Sequence, residues 1–379
     1  MPSAATSDPK LIAGSATPQG TLRYAARFRG KSAAGHFREI SSGLVLSSIG
    51  IGTYLGEADE ATDEAYSGAV VAAVEGGFNV VDTAINYRFQ RSERSIGAAL
   101  KELLANGFAR DEIVLCTKAG FLTPDGELPA DPSEYFSREF VEHGVFGAAD
   151  IAAGCHCMTP RYLADQLERS RRNLGVQCVD VFYLHNPETQ LSEISQEEFE
   201  RRIREAFAFL ESAVTSGKIG AYGLATWNAF REDPKSPGYL SLEEMVRIAT
   251  EVAGNDHHFR FVQLPLNLAM PEALTRPNQM AAGKTLAMVQ AGRAVGITLV
   301  ASAALLQGQL TKNLPSSMRN AWGMKSDSAL ALQFARSAPG ITTALVGMSQ
   351  IGHVEANLAL AGVEPAGREE FLKVFEARR

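Results

Sequence analysis

Val179-Asp180-Val181-Phe182-Tyr183-Leu184-His185 is an apolar run, interrupted only by Asp180, that stops on a histidine. A strand with one wet face alternates apolar and polar residues; a strand apolar nearly throughout is covered on both faces, as in a parallel sheet. The preceding segment, 160–174, has helical period. Thr159 is placed to cap it, Pro160 sits in its first turn and Gly175 lies just past its end. After the run, Phe199, Ile203, Phe207, Leu210 and Val214 form the apolar face of another helix, which stops at Gly217. Runs of the same kind recur at 48–53, 78–83, 113–118, 219–225, 261–266, 297–301 and 342–347. Each gap between them is long enough for a right-handed crossover through a helix. Eight β-α units predict an α/β chain closed into a (β/α)8 TIM barrel.

The chain has 379 residues, more than a bare barrel needs, and the excess falls in two places. Residues 1–35 mix Ser, Ala, Thr, Pro and Gly with no apolar core of a secretion signal, and are expected to form a flexible N-terminal arm. Residues 36–379 are then one domain. It begins with a hairpin, Phe37-Glu39-Ile40 then Leu44-Val45-Leu46, suited to plug the barrel's bottom. The second excess, 121–158, follows the third strand at the face where barrel loops build active sites. With Phe121, Tyr135, Phe136, Phe140 and Phe146 it is expected to be an active-site loop and a lid, the other reading being an insertion packed on a neighbouring helix.

Composition removes several classes of function. A net charge of -7 without a Lys/Arg-rich run lacks the footprint of a nucleic-acid binder. No stretch approaches the roughly 18 apolar residues of a membrane span. Four cysteines are too few for a disulfide scaffold and predict a cytoplasmic setting. Cys155-His156-Cys157 does not predict a metal, because three adjacent residues rarely point at one ion and no second cysteine pair follows.

Four polar residues stand where apolar runs end. Asp82 closes the second run, Tyr87 follows five residues later, Lys118 closes the third and His185 the fourth. In a barrel these ends converge on one mouth. A tyrosine hydroxyl ordinarily ionises near pH 10, and an adjacent ammonium is expected to lower that value. Tyr87 beside Lys118 is therefore a candidate acid for an oxygen whose carbon receives hydride, with Asp82 fixing Lys118 and His185 orienting the carbonyl. Taken singly, each residue has an ordinary structural role; their coincidence is the signal.

From 37 to 360 the chain resembles the aldo-keto reductases. The matching segments are Gly50-Ile51-Gly52-Thr53, Asp82-Thr83-Ala84-Ile85-Asn86-Tyr87, Thr117-Lys118, Leu184-His185-Asn186-Pro187, Val262-Gln263 with Asn267, and Val346-Gly347-Met348-Ser349 with Val354-Glu355-Ala356-Asn357. The resemblance implies the barrel fold, a nicotinamide cofactor and a catalytic tetrad on Asp82, Tyr87, Lys118 and His185. Implied cofactor contacts are Thr53, Asp82, Thr226, Gln263, Ser302, Leu305, Gln307, Gly347, Ser349, His353 and Asn357. The family's Ser-Asn pair after the fifth strand is replaced by Ala225-Thr226, and Ser302 stands where an aromatic often stacks on the nicotinamide; Trp227 or Trp322 is the candidate replacement. His353 stands where an arginine often meets a 2′-phosphate. The family norm favours NADPH, with NADH the other candidate.

Expected substrate contacts are Tyr54, Arg88, Phe121, His156 and Trp227, Arg88 being suited to an anionic group. The implied function is NAD(P)H-dependent reduction of a small-molecule aldehyde or ketone, with Tyr87 as general acid. The alternative is a redox-sensing or regulatory subunit of the same fold with little turnover. The partner is a small-molecule carbonyl compound, not nucleic acid or membrane; substrate identity and oligomeric state are not encoded in local pattern.

Overall fold

A computed structural model describes residues 11–376. Among the described residues twelve strands run in chain order: β1 (Phe37–Glu39), β2 (Val45–Ser47), β3 (Ile49–Gly52), β4 (Val80–Asp82), β5 (Val114–Ala119), β6 (Val179–His185), β7 (Ile219–Ala225), β8 (Phe259–Pro265), β9 (Pro277–Ala281), β10 (Lys284–Ala287), β11 (Thr298–Ser302) and β12 (Ile341–Gly347). Eight of them, β3 to β8 with β11 and β12, pair in parallel and close on themselves. The structure is thus the expected (β/α)8 barrel.

The closure explains why the strands read as continuous apolar runs. Side chains alternate between barrel interior and helix layer with period two. Val114 and Cys116 point inward and Leu115 outward; Val181 and Tyr183 point inward and Phe182 outward. Both sets are buried, so both are apolar. Asp180, the exception in β6, accepts hydrogen bonds from Arg110 Nη2 (2.8 Å), the Leu115 amide (2.7 Å) and the Ala16 amide (2.6 Å). Outside the strands, helix Pro160–Leu174 has the Thr159 side-chain cap and the left-handed Gly175 stop read from its sequence.

β1 and β2 form the hairpin expected at the barrel bottom. Leu46 packs there with Val80, Val114 and Val181 of the barrel interior. The segment before it departs from expectation. Residues 1–10 lie outside the described residues, but 11–35 are a packed strap rather than a flexible arm. Helix Pro18–Arg27 is capped by Thr17, and Tyr24 is fully buried, donating to the Val74 carbonyl at 2.5 Å. Arg23 and Arg27 pair with the buried carboxylate of Glu112. The cause is a short face of Thr21, Tyr24 and Phe28, one helical turn apart, that a largely polar segment buries against the barrel.

Gly50 and Gly223 show how tightly the strands approach: a Cβ on Gly223 would meet the Phe261 carbonyl oxygen at 2.2 Å. The antiparallel pair β9–β10 lies outside the barrel and was not among the predicted strands. No helix among the described residues is long and apolar enough to cross a membrane.

His36 joins the strap to the barrel. It is fully buried, with Nδ1 3.1 Å from Ser48 Oγ and Nε2 3.0 Å from the Gly77 carbonyl. Burial, helped by Arg336 and Arg38, pushes its pKa down to about 4. The folded protein then holds this ring neutral while the unfolded chain takes up a proton below about pH 6.5. Stability should fall as pH drops from about 6.5 towards about 4, by roughly 3 kcal/mol from this residue. Urea unfolding across that range should show the slope in the native protein, and His36→Gln should flatten part of it.

Candidate active site

Inward-pointing positions continue along each strand to the barrel's upper rim. Two residues beyond Val80, Cys116, Tyr183 and Phe261 stand Asp82, Lys118, His185 and Gln263. Each is the next inward residue, and each is polar. The barrel interior therefore ends in a polar layer at its C-terminal mouth. Lys118 Nζ lies 2.5 Å from Asp82 Oδ2, 2.7 Å from the Thr83 carbonyl and 3.4 Å from Tyr87 Oη. Gln263 Nε2 donates to the other Asp82 oxygen at 2.8 Å. Asp82 and Lys118 are both buried.

Tyr87 comes from the loop after β4, and its placement is enforced by backbone. Arg88, Phe89 and Gln90, the next three residues, all have positive φ (50°, 56° and 73°). Such a conformation is costly for residues with side chains and persists only where the surroundings hold it. Arg88 supplies the hold: its guanidinium donates to the Glu57 and Asp59 carbonyls (2.7 and 3.2 Å) and to the Asp63 carboxylate (2.5 Å). This overturns the expectation that Arg88 meets substrate. It is buried, bonded away from the cavity and committed to shaping the turn that presents Tyr87.

The electrostatics also depart from expectation in one respect. Burial raises the Tyr87 pKa, and Lys118 opposes the rise without cancelling it. Burial is the larger effect, and the Asp82 carboxylate adds to it by offsetting part of the ammonium's field at the phenol oxygen. Burial alone would lower Lys118, but Asp82 and Tyr87 hold its pKa raised, so it stays charged. His185 is driven well below its ordinary value by burial first and then by Lys118, so its ring is neutral. Its Nδ1 lies 3.2 Å from Asn86 Oδ1, and its ring meets those of Tyr87 and Phe121 edge-on.

Above this layer opens a cavity of about 720 Å³. The structure brings Thr53, Tyr54, Asp82, Tyr87, Phe121, His185, Thr226, Trp227, Gln263, Ser302, Leu305, Gln307, Gly347, Ser349 and His353 to its walls. Lys118 lies just behind Tyr87. Asn86, Asn186, Leu55 and Thr311 also line it and are not among the expected site residues; for Asn86 and Asn186 the signal was their place beside Tyr87 and His185 within the matching segments. The stretch 303–307 bends with Ala303, Leu306 and Gln307 at positive φ, which brings backbone to the cavity wall.

Besides Arg88, three expected residues lie elsewhere. Asn357 is buried in helix Ile351–Leu358 and does not line the cavity. Trp322, a candidate stacking surface, packs instead against Phe334 and Phe371. His156 does not line the cavity either: its Nε2 is 2.8 Å from the His185 carbonyl and its Nδ1 2.9 Å from Gln190 Nε2. Burial pushes its pKa down to about 4. With both ring nitrogens engaged, it steadies the backbone that carries His185.

The long loop after β5 is likewise not a lid. The Leu122 amide bonds the Cys155 carbonyl (2.7 Å) and the Cys157 amide bonds the Gly120 carbonyl (2.8 Å), closing the loop at its base. Its aromatic residues Phe140 and Phe146 form a separate cluster with Cys157 and with Tyr162 of the next helix. Only Phe121 reaches the cavity. The aromatic side chains have found each other and the helix layer, which buries them without crossing the mouth.

The model of the aldo/keto reductase family matches residues 48–374, and the chain belongs to this family. Among curated relatives, it is 27% identical over 188 residues to a D-threo-aldose 1-dehydrogenase of a Pseudomonas species, covering 49% of this chain and 52% of that one. It is 28% identical over 190 residues to a putative voltage-gated potassium channel subunit beta of Schizosaccharomyces pombe, covering 50% and 44%. The match thus spans about half the length of these relatives. Similar solved structures include a glycerol dehydrogenase of Gluconobacter oxydans (TM-score 0.63, 19% identity, 91% of this chain and 95% of that one). Another is an aldo/keto reductase of Klebsiella pneumoniae crystallised with NADP and acetate (TM-score 0.60, 19% identity, 90% and 95%). At these identities the structural likeness shows the shared fold.

Gly120 marks where the long loop's base meets the two histidines. A Cβ there would lie 2.6 Å from His156 Nε2 and 2.7 Å from the His185 carbonyl oxygen, at a φ of +155°. Gly120→Ala should therefore break the bond between them and lower the unfolding free energy by about 2 kcal/mol. Chemical denaturation checks the loss, and the His156 ring signals in an NMR spectrum should shift with it.

Proposed function

We propose that the protein is an NAD(P)H-dependent carbonyl reductase with Tyr87 as general acid. The observation that carries the reading is the convergence of Tyr87 Oη and the neutral His185 on the wall of a cavity large enough for a cofactor and a small molecule, with the charged Lys118 directly behind Tyr87. Membership of the family and the NADP-bound relative support it.

The chain's own residues fit a nicotinamide cofactor. Thr226 Oγ1 is buried at the cavity wall with no hydrogen-bond partner, and the Thr226 amide is tied to the Gln263 carbonyl at 2.9 Å. An orphaned hydroxyl beside the Gln263 side chain suits a carboxamide, which both donates and accepts. Thr226 thereby answers for the Ser-Asn pair absent from the sequence. Thr53, Ser302, Leu305, Gln307, Gly347, Ser349 and His353 would hold the rest, and Trp227 is one of several aromatic surfaces at the cavity. NADPH remains the favoured form on the family norm, and NADH the other candidate.

When bound, such a cofactor supplies hydride to the carbonyl carbon. Tyr87 Oη–H donates its proton to the carbonyl oxygen, and the phenolate left behind faces Lys118 Nζ. The raised pKa keeps Tyr87 protonated until then, and Lys118 stabilises the charge that appears. Asp82 holds Lys118 in place. An Asn amide can turn either end to a ring nitrogen; with its NH₂ towards His185 Nδ1, the imidazole proton sits on Nε2 and can donate to the carbonyl oxygen. In alcohol oxidation the same groups act in reverse.

Tyr87→Phe should lower kcat/KM for carbonyl reduction by about 10²-fold or more while cofactor binding, measured by calorimetry, stays within a few-fold. Undiminished turnover would refute the assignment. Tight cofactor binding by the native protein with no turnover across a panel of carbonyl compounds would favour the regulatory-subunit reading instead.

A further inference from the structure

Glu93 is a titratable group that the mechanism does not use. It lies in helix Arg91–Ala105, shortly after Tyr87 in the chain, and is fully buried. Among the described residues no lysine or arginine pairs with it; its neighbour Arg94 turns to Asp125 and to Asn173 Oδ1. A buried carboxylate without a counter-ion is costly and persists only where hydrogen bonds satisfy it. Two of them do so here. Thr117 Oγ1 donates to Oε1 at 2.6 Å and Asn173 Nδ2 to Oε2 at 2.9 Å. Burial pushes the Glu93 pKa up, and these two bonds pull against the rise.

The two donors lead to the two sides of the site. Thr117 directly precedes Lys118 in β5, so by the alternation of a strand one side chain reaches the helix layer while the next turns into the mouth. Asn173 lies near the end of helix Pro160–Leu174, and its amide donates a second bond to Gln90 Oε1 at 3.1 Å. Gln90 is buried and is the last of the three positive-φ residues that follow Tyr87. The two helices meet closely at Gly97, where a Cβ would lie 2.5 Å from the Asn173 carbonyl oxygen, so Asn173 has little room to move. A continuous path of side-chain hydrogen bonds, Thr117 to Glu93 to Asn173 to Gln90, thus joins the strand that bears Lys118 to the turn that bears Tyr87.

Resting on the carbonyl-reductase reading, we propose that Glu93 is a positioning residue for the reaction, holding the Tyr87 turn and the Lys118 strand at the separation across which the ammonium meets the phenol oxygen. That separation is 3.4 Å. Attraction between the ammonium and a nascent phenolate weakens with distance, so a slack turn lowers the rate without altering the cavity walls.

Glu93→Ala should lower kcat for carbonyl reduction about tenfold or more, while KM for the carbonyl compound and the affinity for cofactor stay within a few-fold. Glu93→Gln keeps both bonds, its amide oxygen accepting from Asn173 and its NH₂ donating to Thr117 Oγ1, and should retain most of the rate. A double-mutant cycle separates positioning from general loosening: in a Tyr87→Phe background, Glu93→Ala should have no further effect on turnover. Native kcat in Glu93→Ala, equal losses in Glu93→Gln and Glu93→Ala, or a full loss that persists without the Tyr87 hydroxyl would overturn the inference and leave the reductase reading intact. Should Glu93→Ala fail to fold, Thr117→Val has nearly the native shape and breaks one of the two bonds. It should lower kcat several-fold, and native kcat there would overturn the inference equally. A readout free of turnover is the ¹³Cζ NMR signal of Tyr87, identified by its loss in Tyr87→Phe. It should move in Glu93→Ala or Thr117→Val and stay near its native position in Glu93→Gln. That pattern in a protein showing no turnover would uphold the positioning role while the reductase reading fell; an unmoved signal would overturn the positioning role.

Discussion

A lysine buried in the mouth of a barrel is the constraint around which the rest is arranged. An ammonium deprived of water is tolerated only with an opposite charge and further acceptors close by, and Lys118 has the Asp82 carboxylate at 2.5 Å and the Thr83 carbonyl at 2.7 Å. Asp82 is then held by Gln263 from the opposite side of the barrel. Three strands and one loop are fixed in register by a single charge. The same charge faces the Tyr87 hydroxyl and adds to the burial that holds His185 neutral. Removing one partner would strand the other in a buried site, so the pair is better seen as a commitment of the fold than as a source of stability.

The barrel was readable because parallel strands covered on both faces admit few polar residues, and because inward positions advance by two. That regularity carries Val80 to Asp82, Cys116 to Lys118 and Tyr183 to His185, so the polar residue ending each run had to arrive at the mouth. Fourteen of the expected site residues besides Tyr87 line the cavity for this reason or because they lie on loops leaving those ends.

What was not readable depended on where long side chains turn. Arg88 follows Tyr87 directly and carries the right charge for an anion, but three successive positive-φ residues swing it outward to Asp63. No local pattern announces that turn. His156 ends a loop that does lie near the mouth, yet its ring turns inward to the backbone. The strap at 11–35 did have a signal: Thr17-Pro18 repeats the cap seen at Thr159-Pro160, but its apolar face is only three residues deep. The β9–β10 pair is rich in Asn, Gln, Ala and Lys, residues that rarely announce strands, and its pairing follows from the Ala282-Gly283 turn, both at positive φ.

The closed base of the loop at 121–158 has a consequence for how such a protein can change. Two backbone bonds pinch the excursion off where it leaves β5, and its aromatic residues are satisfied among themselves. Lengthening or shortening a pinched loop alters its closure entropy only slowly. The exterior of the molecule is in this way insulated from its chemistry: the chain can acquire a new outer surface there while the arrangement of Tyr87, Lys118 and His185 is inherited unaltered.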